Sequence, residues 1–369
     1  MKIIHIVLGK ANPNRMNGVN KVAHNLATAQ VELGYDVEIL GLSNTPEVDK
    51  IARKYKLQLF KRKKLLLDDQ LVKYLKTLDK DHTLFHIHGA FIIDFYSIAR
   101  LLKKLQHRYI FTSHGAYNKE AMKKSFLAKK IFFTLFDRYI LKNAWKVQFL
   151  GKSEYFHIDS LITDIHKILI PNGQNLDELK FEYKEIKSSK RPVFGFVGRI
   201  NAYTKGLDIL FDGFLNYKQN GGNGMLWIIG DGPDLNKLIS FSKDNNLEDE
   251  VFFYGAKFGN EKLNLIANMD MFVHTSRFEG FPMAVLEAAG LGKPLLVSKE
   301  TNFSDYVNQY NCGLVLLKNN KINVSKQMSF FELNVEELKY LEMRNNAIEM
   351  VKNEFSWDNI SERLMKNEK

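Results

Sequence analysis

Cysteine is almost absent from this chain of 369 residues, in which Cys312 stands alone. A single cysteine excludes an internal disulfide and favours a reducing compartment. Long apolar runs are also missing, because no stretch reaches the roughly 18 residues that a membrane span needs. Met1 and Lys2 lead at once into the strand-like IIHIVLG, which is too short for the apolar region of a secretory signal. We therefore expect a cytoplasmic protein.

Internal repeats, low-complexity tracts and RNA-binding signatures are missing as well. The composition is that of a globular protein, with 45% hydrophobic and 26% charged residues, and the length favours two domains. The net charge of +11 fits three kinds of partner, namely nucleic acid, an anionic membrane surface or phosphorylated substrates. Because there is no Arg-rich arm, nucleic acid is the weakest of the three and we expect none.

The first half opens with the pattern of a βαβ unit. The run KIIHIVL precedes a loop rich in Asn, Gly and Pro, then a helical pattern from Val19 to Leu33, then VEILGL. Gly18 lies at the entry of the helix, where the backbone could approach a phosphate closely, or where it serves only as an N-terminal cap. The charged segment 46–80 has a helical pattern.

Two short apolar runs, LFHIHG and YIFTSHGAY, each end in His-Gly, as a strand does at its carboxyl end near a ligand crevice. His86 and His88 are interpreted as side chains on opposite faces of a strand or as metal ligands. With no cysteine or carboxylate cluster nearby, we expect no metal. His114 directly follows a strand and is a candidate for substrate contact, although a purely structural histidine fits the pattern equally.

Residues 121–141 are amphipathic and basic, with phenylalanines between the lysines, and a second basic cluster spans 61–64. One interpretation is a solvated face over core-packing rings. The other is a surface that lies on the anionic lipid of the inner leaflet. The charged segment 174–190 is predicted to be the interdomain linker.

In the second half, Arg199 follows the predicted strand PVFGFV, and Lys205 opens the next helix. Two cations at a strand end beside a helix N-terminus suit a diphosphate. Gly230 lies in the Gly-rich turn after WII. Gly255 and Ala256 form an open turn whose backbone groups could bind a base edge.

The stretch RFEGFPMAVLEAAGLGKPLLVS, from Arg277 to Ser298, carries the strongest pattern. It predicts a tight loop with Glu279, a helix with Pro282 in its first turn, and then a strand. Glu287 is expected to point away from the apolar face of that helix. A carboxylate beside free helical N–H groups suits a site that binds a phosphate next to a polyhydroxyl group.

The alternating strand–helix halves predict an α/β protein with two Rossmann-like, doubly wound domains facing a central cleft. At this point FVGRINAYTKG, IIGDGP, FFYGA and EGFPMAVLE together resemble the retaining glycosyltransferases of family 4, which have the GT-B fold. The resemblance is close over 193–300 and loose over the first half. It implies an acceptor-binding domain over 1–178, a nucleotide-sugar-binding domain over 186–355, and a terminal helix, 356–369, that packs back on the first domain.

The resemblance also implies site roles. Glu279 and His114 would be the catalytic residues that meet the sugar, and Glu287 would bind the ribose. The implied donor-binding set comprises loop, turn and helix-start residues: Gly18, Arg199, Lys205, Gly230, Gly255, Ala256, Gly280, Phe281, Pro282, Met283, Ala284, Val285 and Glu287. The family often has Gly-Gly where this chain has Asn17-Gly18, and His-Asp where it has His114-Gly115.

The predicted function is transfer of a sugar, with retention and without a metal or other cofactor, from a UDP- or GDP-sugar. The acceptor would be a glycan or a polyprenyl-linked molecule in cell-surface polysaccharide synthesis, at the cytoplasmic face of the membrane. The alternatives are a nucleotide-sugar epimerase, or a non-catalytic glycan- or nucleic-acid-binding protein. An epimerase would convert a donor without an acceptor, and a binder would turn over no donor.

Overall fold

The computed structural model describes residues 1–12, 18–186, 191–334 and 337–366. These residues form two compact units, one of residues 1–173 with 357–369 and one of residues 174–356. Residues 174–178, which the sequence analysis assigned to the first domain, lie in the second unit, as does the described part of the predicted linker. Tyr183 in that segment donates its hydroxyl to Asn268 Oδ1 at 3.0 Å.

All strands pair in parallel, and they divide between one sheet in each unit. The strands of the first unit are β1 (Lys2–Leu8), β2 (Asp36–Ser43), β3 (Lys56–Lys61), β4 (Thr83–His88), β5 (Arg108–Thr112), β6 (Lys146–Phe149) and β7 (Lys167–Leu169). Those of the second are β8 (Val193–Val197), β9 (Met225–Ile229), β10 (Val251–Gly255), β11 (Met271–His274), β12 (Leu295–Ser298) and β13 (Gly313–Leu316).

The α-helices between the strands of the first unit are α1 (Gly18–Glu32), α2 (Asp69–Lys76), α3 (Ile93–Lys104), α4 (Lys119–Lys123), α5 (Phe126–Phe132), α6 (Arg138–Asn143) and α7 (Lys152–His157). Those of the second unit are α8 (Ala202–Lys205), α9 (Leu207–Gln219), α10 (Leu235–Asp244), α11 (Gly259–Ala267), α12 (Met283–Gly290), α13 (Ser304–Tyr310), α14 (Lys321–Asn334) and α15 (Glu337–Glu354). The last, α16 (Trp357–Met365), belongs to the first unit. The described residues also form three 3-10 turns (Ile158–Ser160, Asp177–Leu179, Lys299–Thr301) and a π-helical turn (Phe133–Asp137).

The sheet orders are β3-β2-β1-β4-β5-β6-β7 and β10-β9-β8-β11-β12-β13. Strands buried on both faces read as continuous apolar runs, which is why KIIHIVL and VFGFV were recognisable. Each order reverses once, between β1 and β4 and between β8 and β11. Such a reversal opens a crevice at the carboxyl ends of the two strands, where ligands of doubly wound folds bind.

One element differs from the sequence prediction. Segment 46–80 was expected to be helical, but it contains the edge strand β3 before α2. An edge strand is half exposed and tolerates charged residues, so KLQLFK lacks the apolar run of a central strand.

The terminal helix α16 packs against α1 of the first unit. Its buried face consists of Trp357, Ile360, Ser361 and Leu364. Lys146, which is buried in β6, donates from Nζ to the carbonyl oxygen of Lys366 at 2.5 Å. The first unit is therefore completed by residues that follow the whole second unit in the chain.

Candidate active site

The crevice at the reversal of the second sheet lies where β8 and β11 end. The register pairs Met271 with Phe194 and Phe272 with Gly195, so the two strands end at a similar level. β11 ends in His274, and the loop 275–282 leads from it into α12. β8 leads through Gly198 to Arg199. The predicted carboxylate and cations therefore lie on segments that follow neighbouring strand ends.

Glu279 lies in this loop, and three donors converge on one of its oxygens. Lys205 Nζ lies 2.5 Å from Oε1, Ser276 Oγ 2.8 Å and His274 Nε2 3.0 Å. Its side chain is 12% exposed. Oε2 makes no hydrogen bond with any described residue. One oxygen is held in place while the other can accept hydrogen bonds from a ligand hydroxyl.

The charges of the cluster follow from burial and pairing. Burial alone would raise the pKa of Glu279, but the charge of Lys205 and the hydrogen bond from His274 outweigh it and lower that pKa to about 2. Burial lowers the pKa of His274, although Glu279 opposes this. His274 is therefore neutral at pH 7 and donates Nε2–H to an ionised carboxylate. Its ring stacks on Phe196 and Phe272, with interplanar angles of 14° and 13°.

A glycine places Lys205 beside Glu279. Gly206 adopts φ +62°, and a Cβ there would lie 1.9 Å from the carbonyl oxygen of Thr275. Thr275 Oγ1 donates to the carbonyl oxygen of Gly206 at 2.9 Å, and the N–H of Arg277 donates to Thr204 O at 3.0 Å. The short helix α8 can lie against the Glu279 loop only because residue 206 has no side chain.

The two predicted cations differ in their surroundings. Lys205 is paired with Glu279, whereas Arg199 is exposed, and its guanidinium makes no hydrogen bond or ion pair with a described residue. An exposed guanidinium at a strand end can bind an anion without first breaking a pair. Arg199 is thus the better placed of the two for a diphosphate.

Hydrogen bonds from Asn302 and the packing of Phe281 fix the loop before α12. Asn302, at φ +64°, donates its amide to the carbonyl oxygens of both Glu279 and Gly280 at 3.0 Å. Phe281 is buried and stacks on Phe303 with ring centroids 4.2 Å apart. The loop can therefore offer backbone groups in a fixed position.

The helix α12 begins one residue later than expected. Pro282 is the cap, with φ −75° and ψ 116°, and Met283 is the first helical residue. The N–H of Val285 donates to Pro282 O at 3.2 Å, whereas those of Met283 and Ala284 have no acceptor among the described residues. These two N–H groups are available to an anion.

Glu287, which the sequence analysis placed away from the apolar face of α12, is buried. Residues 285–289 are all buried, so α12 is covered on every side, and the Glu287 side chain is only 4% exposed. Its Oε2 accepts from Lys262 Nζ at 2.7 Å, which balances the charge. A wheel drawn for one helix could not reveal a lysine that comes from α11.

The predicted turn residues Gly230, Gly255 and Ala256 differ in how closely they are packed. Gly230 is at φ +149°, and a Cβ there would lie 1.9 Å from Gly198 O, so the close packing of the ends of β8 and β9 requires glycine. A Cβ on Gly255, at φ +68°, would meet nothing within 4 Å. Ala256 beside it is exposed. The turn at 255–256 thus stays accessible to a ligand.

In the first unit, Gly18 is the first residue of α1 and is exposed, and a Cβ there would meet nothing within 4 Å. His114 follows β5 at φ +55° and is partly buried. The buried carboxylate of Glu154 holds its loop by accepting from Ser113 Oγ, Gly115 N and Tyr117 N at 2.7, 3.1 and 2.8 Å. Burial raises the pKa of Glu154 to about 7.

His86 and His88 do not lie on opposite faces of β4, because residues two apart in a strand share a face. Their rings stack at 4.0 Å, and His5 of the neighbouring β1 joins them. Nitrogens of these three buried rings lie within 4.8 Å of one another, the spacing of a possible metal site. His5 Nδ1 and His88 Nε2 already hydrogen-bond at 2.9 Å, however, so an ion would have to break that bond. Sequence analysis missed His5, although β1 and β4 are the strands that flank the reversal.

Some apolar side chains of the basic segment 121–141 lie in the core and others lie on the surface. Phe133 is buried, whereas Phe126, Leu127, Ile131 and Leu135 are 50–72% exposed. Lysines flank these four side chains, which together form what we call the basic apolar surface of α5 and the π-helical turn. Among the described helices, none has the length and apolar character to cross a bilayer.

Two doubly wound parallel sheets, one in each unit, are the arrangement of the GT-B class. Solved structures agree. Sucrose-phosphate synthase of Thermosynechococcus elongatus superposes with a TM-score of 0.75 at 15% identity, covering 98% of this chain and 97% of that one. HepE of Anabaena, solved with UDP and glucose, gives 0.74 at 15% identity, covering 99% and 98%.

Sequence comparison gives the family. The profile described as Glycosyltransferase Family 4 matches residues 16–178, and that described as Glycosyl transferases group 1 matches 177–352. An uncharacterized glycosyltransferase of Methanocaldococcus jannaschii is 30% identical over 74% of this chain and 72% of its own length. The chain belongs to the family 4 glycosyltransferases.

Other relatives match over shorter stretches. Protein CapJ of Staphylococcus aureus is 30% identical over 38% of this chain, and a lipopolysaccharide 1,6-galactosyltransferase of Salmonella typhimurium is 37% identical over 30%. These matches span 35% and 30% of the two relatives' own lengths, about a third in each case.

Proposed function

We propose that this protein transfers a sugar from a UDP- or GDP-sugar to a glycan or lipid-linked acceptor in the synthesis of a cell-surface polysaccharide, with retention of anomeric configuration. The observation that carries the proposal is the carboxylate of Glu279. It is ionised, its Oε1 is fixed by Lys205, Ser276 and His274, and its Oε2 makes no hydrogen bond with a described residue.

In the proposed site the leaving diphosphate is bound by positive groups. Arg199 supplies a guanidinium that pairs with no described residue, and Met283 and Ala284 supply N–H groups at the start of α12. Lys205 adds positive charge while it stays paired with Glu279. Donors fixed in advance around developing negative charge stabilise a transition state without reorganisation. The transfer we propose therefore needs no metal ion.

The sugar and ribose would meet the two glutamates. Glu279 Oε2 would accept from a sugar hydroxyl, and its charge would stabilise the positive charge that develops at the anomeric carbon. Glu287, oriented by Lys262, would bind the ribose, and the open turn at Gly255 and Ala256 would meet the base. His114 would contact the sugar.

Retention by the double displacement of glycosidases needs a carboxylate nucleophile at the anomeric carbon. Our proposal instead assigns Glu279 to hydroxyl binding, because its three donors leave it a weak nucleophile. The acceptor would attack on the face that the diphosphate leaves, and a phosphate oxygen would take the acceptor proton.

The names of relatives support both nucleotide classes. An Escherichia coli relative, 32% identical over 44% of this chain, is a UDP-Gal:alpha-D-GlcNAc-diphosphoundecaprenol alpha-1,3-galactosyltransferase. A Corynebacterium glutamicum relative, 32% identical over 35%, is a GDP-mannose-dependent alpha-mannosyltransferase. The first name also supports a polyprenyl-linked acceptor.

A donor panel tests the proposal. Purified protein is incubated with UDP- and GDP-sugars, with and without EDTA, and both hydrolysis and thermal stabilisation are measured. We expect one donor to be hydrolysed slowly, EDTA to change nothing, and NMR of a transfer product to show the donor's anomeric configuration. Conversion of a donor to its epimer, or neither turnover nor stabilisation, would refute the proposal.

Arg199→Ala gives the sharper variant. Because Arg199 has no partner in the described protein, its loss should weaken donor binding by about tenfold or more while leaving the unfolding midpoint unchanged. Lys257→Ala, which removes another partly exposed cation of the second unit, serves as the matched control. Equal donor affinity in the two variants would contradict the assignment of Arg199.

The lipid-linked acceptor motivates a membrane contact through the basic apolar surface. We propose that its exposed apolar side chains insert into an anionic bilayer, while the flanking lysines bind headgroups. The fraction of protein that floats with anionic vesicles should fall for Leu127→Asp and stay at the wild-type level for Leu317→Asp. These leucines are 72% and 73% exposed but lie in different units. Equal recovery with neutral and anionic vesicles would refute the contact.

A further inference from the structure

Four buried or partly buried side chains of the first unit form a continuous line of hydrogen bonds, which we call the histidine chain. Gln30 Oε1 lies 2.6 Å from His5 Nε2, and His5 Nδ1 lies 2.9 Å from His88 Nε2. His88 Nδ1 lies 3.2 Å from His114 Nε2. The chain connects helix α1 to the histidine after β5 that the proposed function places against the sugar.

All three rings are neutral at pH 7, because burial lowers the pKa of His5 and of His114 to about 4 and that of His88 well below its usual value. A neutral imidazole has one N–H donor and one bare acceptor nitrogen. In a line of such rings each donates to the next in the same direction. The hydrogen-bonding role of the group at one end therefore determines which nitrogen carries the hydrogen in every ring.

The direction depends on which amide atom of Gln30 faces His5; in this structure it is Oε1, and Gln30 Nε2 is buried without a hydrogen-bond partner among the described residues. Since Oε1 can only accept, His5 donates from Nε2 and accepts at Nδ1. His88 then donates from Nε2 to His5, and His114 donates from Nε2 to His88. The Nδ1 of His114 remains as a bare acceptor that makes no hydrogen bond with a described residue. Reversing the Gln30 amide would reverse all three rings.

A second series of hydrogen bonds, through His86, also has one direction, and here the amide orientation of Gln148 is fixed by a backbone carbonyl. Gln148 Nε2 donates to the carbonyl oxygen of Ile170 at 2.8 Å, so its Oε1 accepts from Thr112 Oγ1 at 2.7 Å. Thr112 in turn accepts from His86 Nε2–H at 2.7 Å. The Nδ1 of His86 is left buried without a partner among the described residues. This region thus tolerates a bare imidazole acceptor.

We propose that Gln30 is a positioning residue that fixes the tautomer of His114 through His5 and His88, so that His114 offers its Nδ1 lone pair to a substrate hydroxyl and cannot donate to it. The part that concerns the hydroxyl rests on the proposed function, whereas the tautomer does not. Selectivity follows from it, because a substrate atom that can only accept gains no hydrogen bond at this position.

Nitrogen NMR of protein labelled with ¹⁵N-histidine tests the tautomer directly at neutral pH. In the wild type we expect Nε2–H and bare Nδ1 on His5, His88 and His114, with signals assigned from His-to-Ala variants. In Gln30→Met, His5 Nε2–H would be a buried donor without an acceptor, so the chain should reverse and all three rings should carry Nδ1–H. Nδ1–H in the wild type, or no reversal in Gln30→Met, would overturn the proposal.

Asn25→Leu is the matched control, because Asn25 is also a buried amide of α1 but lies outside the chain. It should leave all three tautomers unchanged. If Gln30→Met does not fold, the wild-type spectrum alone still decides the direction.

Donor turnover provides the second measurement. Gln30→Met should lower kcat/KM by about tenfold, the cost of one lost hydrogen bond, and Asn25→Leu should not. Reversed tautomers with unchanged turnover would overturn the role of His114 as an acceptor. If the wild type turns over no donor, the proposed function fails, and the spectra still decide whether Gln30 sets the tautomer.

Discussion

The ion pair at Glu279 predicts how stability depends on pH, and Glu279→Gln is the variant that reports it. In the folded protein the pKa of Glu279 is about 2, against an ordinary value of 4.5. A group whose pKa is lowered by folding stabilises the protein above the unfolded pKa and loses that contribution as pH falls towards the folded pKa. Glu279 should therefore stabilise the protein fully above about pH 5.

The magnitude follows from the shift. A difference of about 2.5 pKa units corresponds to about 3 kcal/mol at neutral pH, of which about 2 kcal/mol is lost by about pH 3. The side chain is only 12% exposed, so solvent screening reduces this little. Glutamine keeps an acceptor oxygen at the same place but carries no charge, so the variant lacks this pH-dependent contribution.

The assay is urea unfolding of both proteins from pH 7 to 3. Other carboxyl groups titrate in both and cancel in the difference between their free energies of unfolding. That difference should be constant from pH 7 to 5 and shrink by about 2 kcal/mol by pH 3. Glu261→Gln, which removes a 75% exposed partner of Lys257, is the matched control. A wild-type-minus-Glu279→Gln difference that stays constant down to pH 3 would refute the depressed pKa.

Two further variants test the supports of the two units. Gly206→Ala should lower the free energy of unfolding by about 3 kcal/mol and abolish donor turnover, because the new Cβ would lie 1.9 Å from Thr275 O and push Lys205 away from Glu279. Gly34→Ala is the control, because Gly34 has φ +87° but open space around it. Its loss of stability measures the cost of the backbone conformation without the clash. Leu364→Ala should cost about 3 kcal/mol in urea unfolding because its side chain is fully buried, whereas Leu338→Ala, 80% exposed, should cost nothing measurable. A stable, active Gly206→Ala protein, or equal losses for the two leucine variants, would contradict these assignments.

The fold class could be predicted because its signals are local. Parallel strands buried on both faces produce apolar runs such as LFHIHG, and the Gly-rich segments after them mark strand ends. The edge strand Lys56–Lys61 was missed because a half-exposed strand needs no such run. The role of the terminal helix came only from the family resemblance, since its partner α1 lies more than 300 residues earlier in the chain.

The site could be predicted in part. Glu279 and Lys205 follow strands that the sequence pattern predicts, so their proximity could be expected from the alternation of strands and helices. The roles of Ser276 and His274 could not be predicted, because the sequence pattern does not show whether a histidine at a strand end lies within hydrogen-bond distance of a carboxylate. The pairing of Glu287 with Lys262 could not be predicted, because Lys262 comes from another helix. Such side-chain pairs depend on tertiary contacts that a one-dimensional pattern does not contain.

The position of α16 has a consequence for how the protein is made. The chain leaves the first unit after residue 173, builds the whole second unit, and returns at Trp357. During synthesis the face of α1 that α16 covers must therefore wait for about 180 further residues, which takes on the order of ten to forty seconds at usual translation rates. The second unit, in contrast, is continuous and can fold as soon as it emerges. We expect a released chain that ends just before Trp357 to contain a folded second unit and an incomplete first unit.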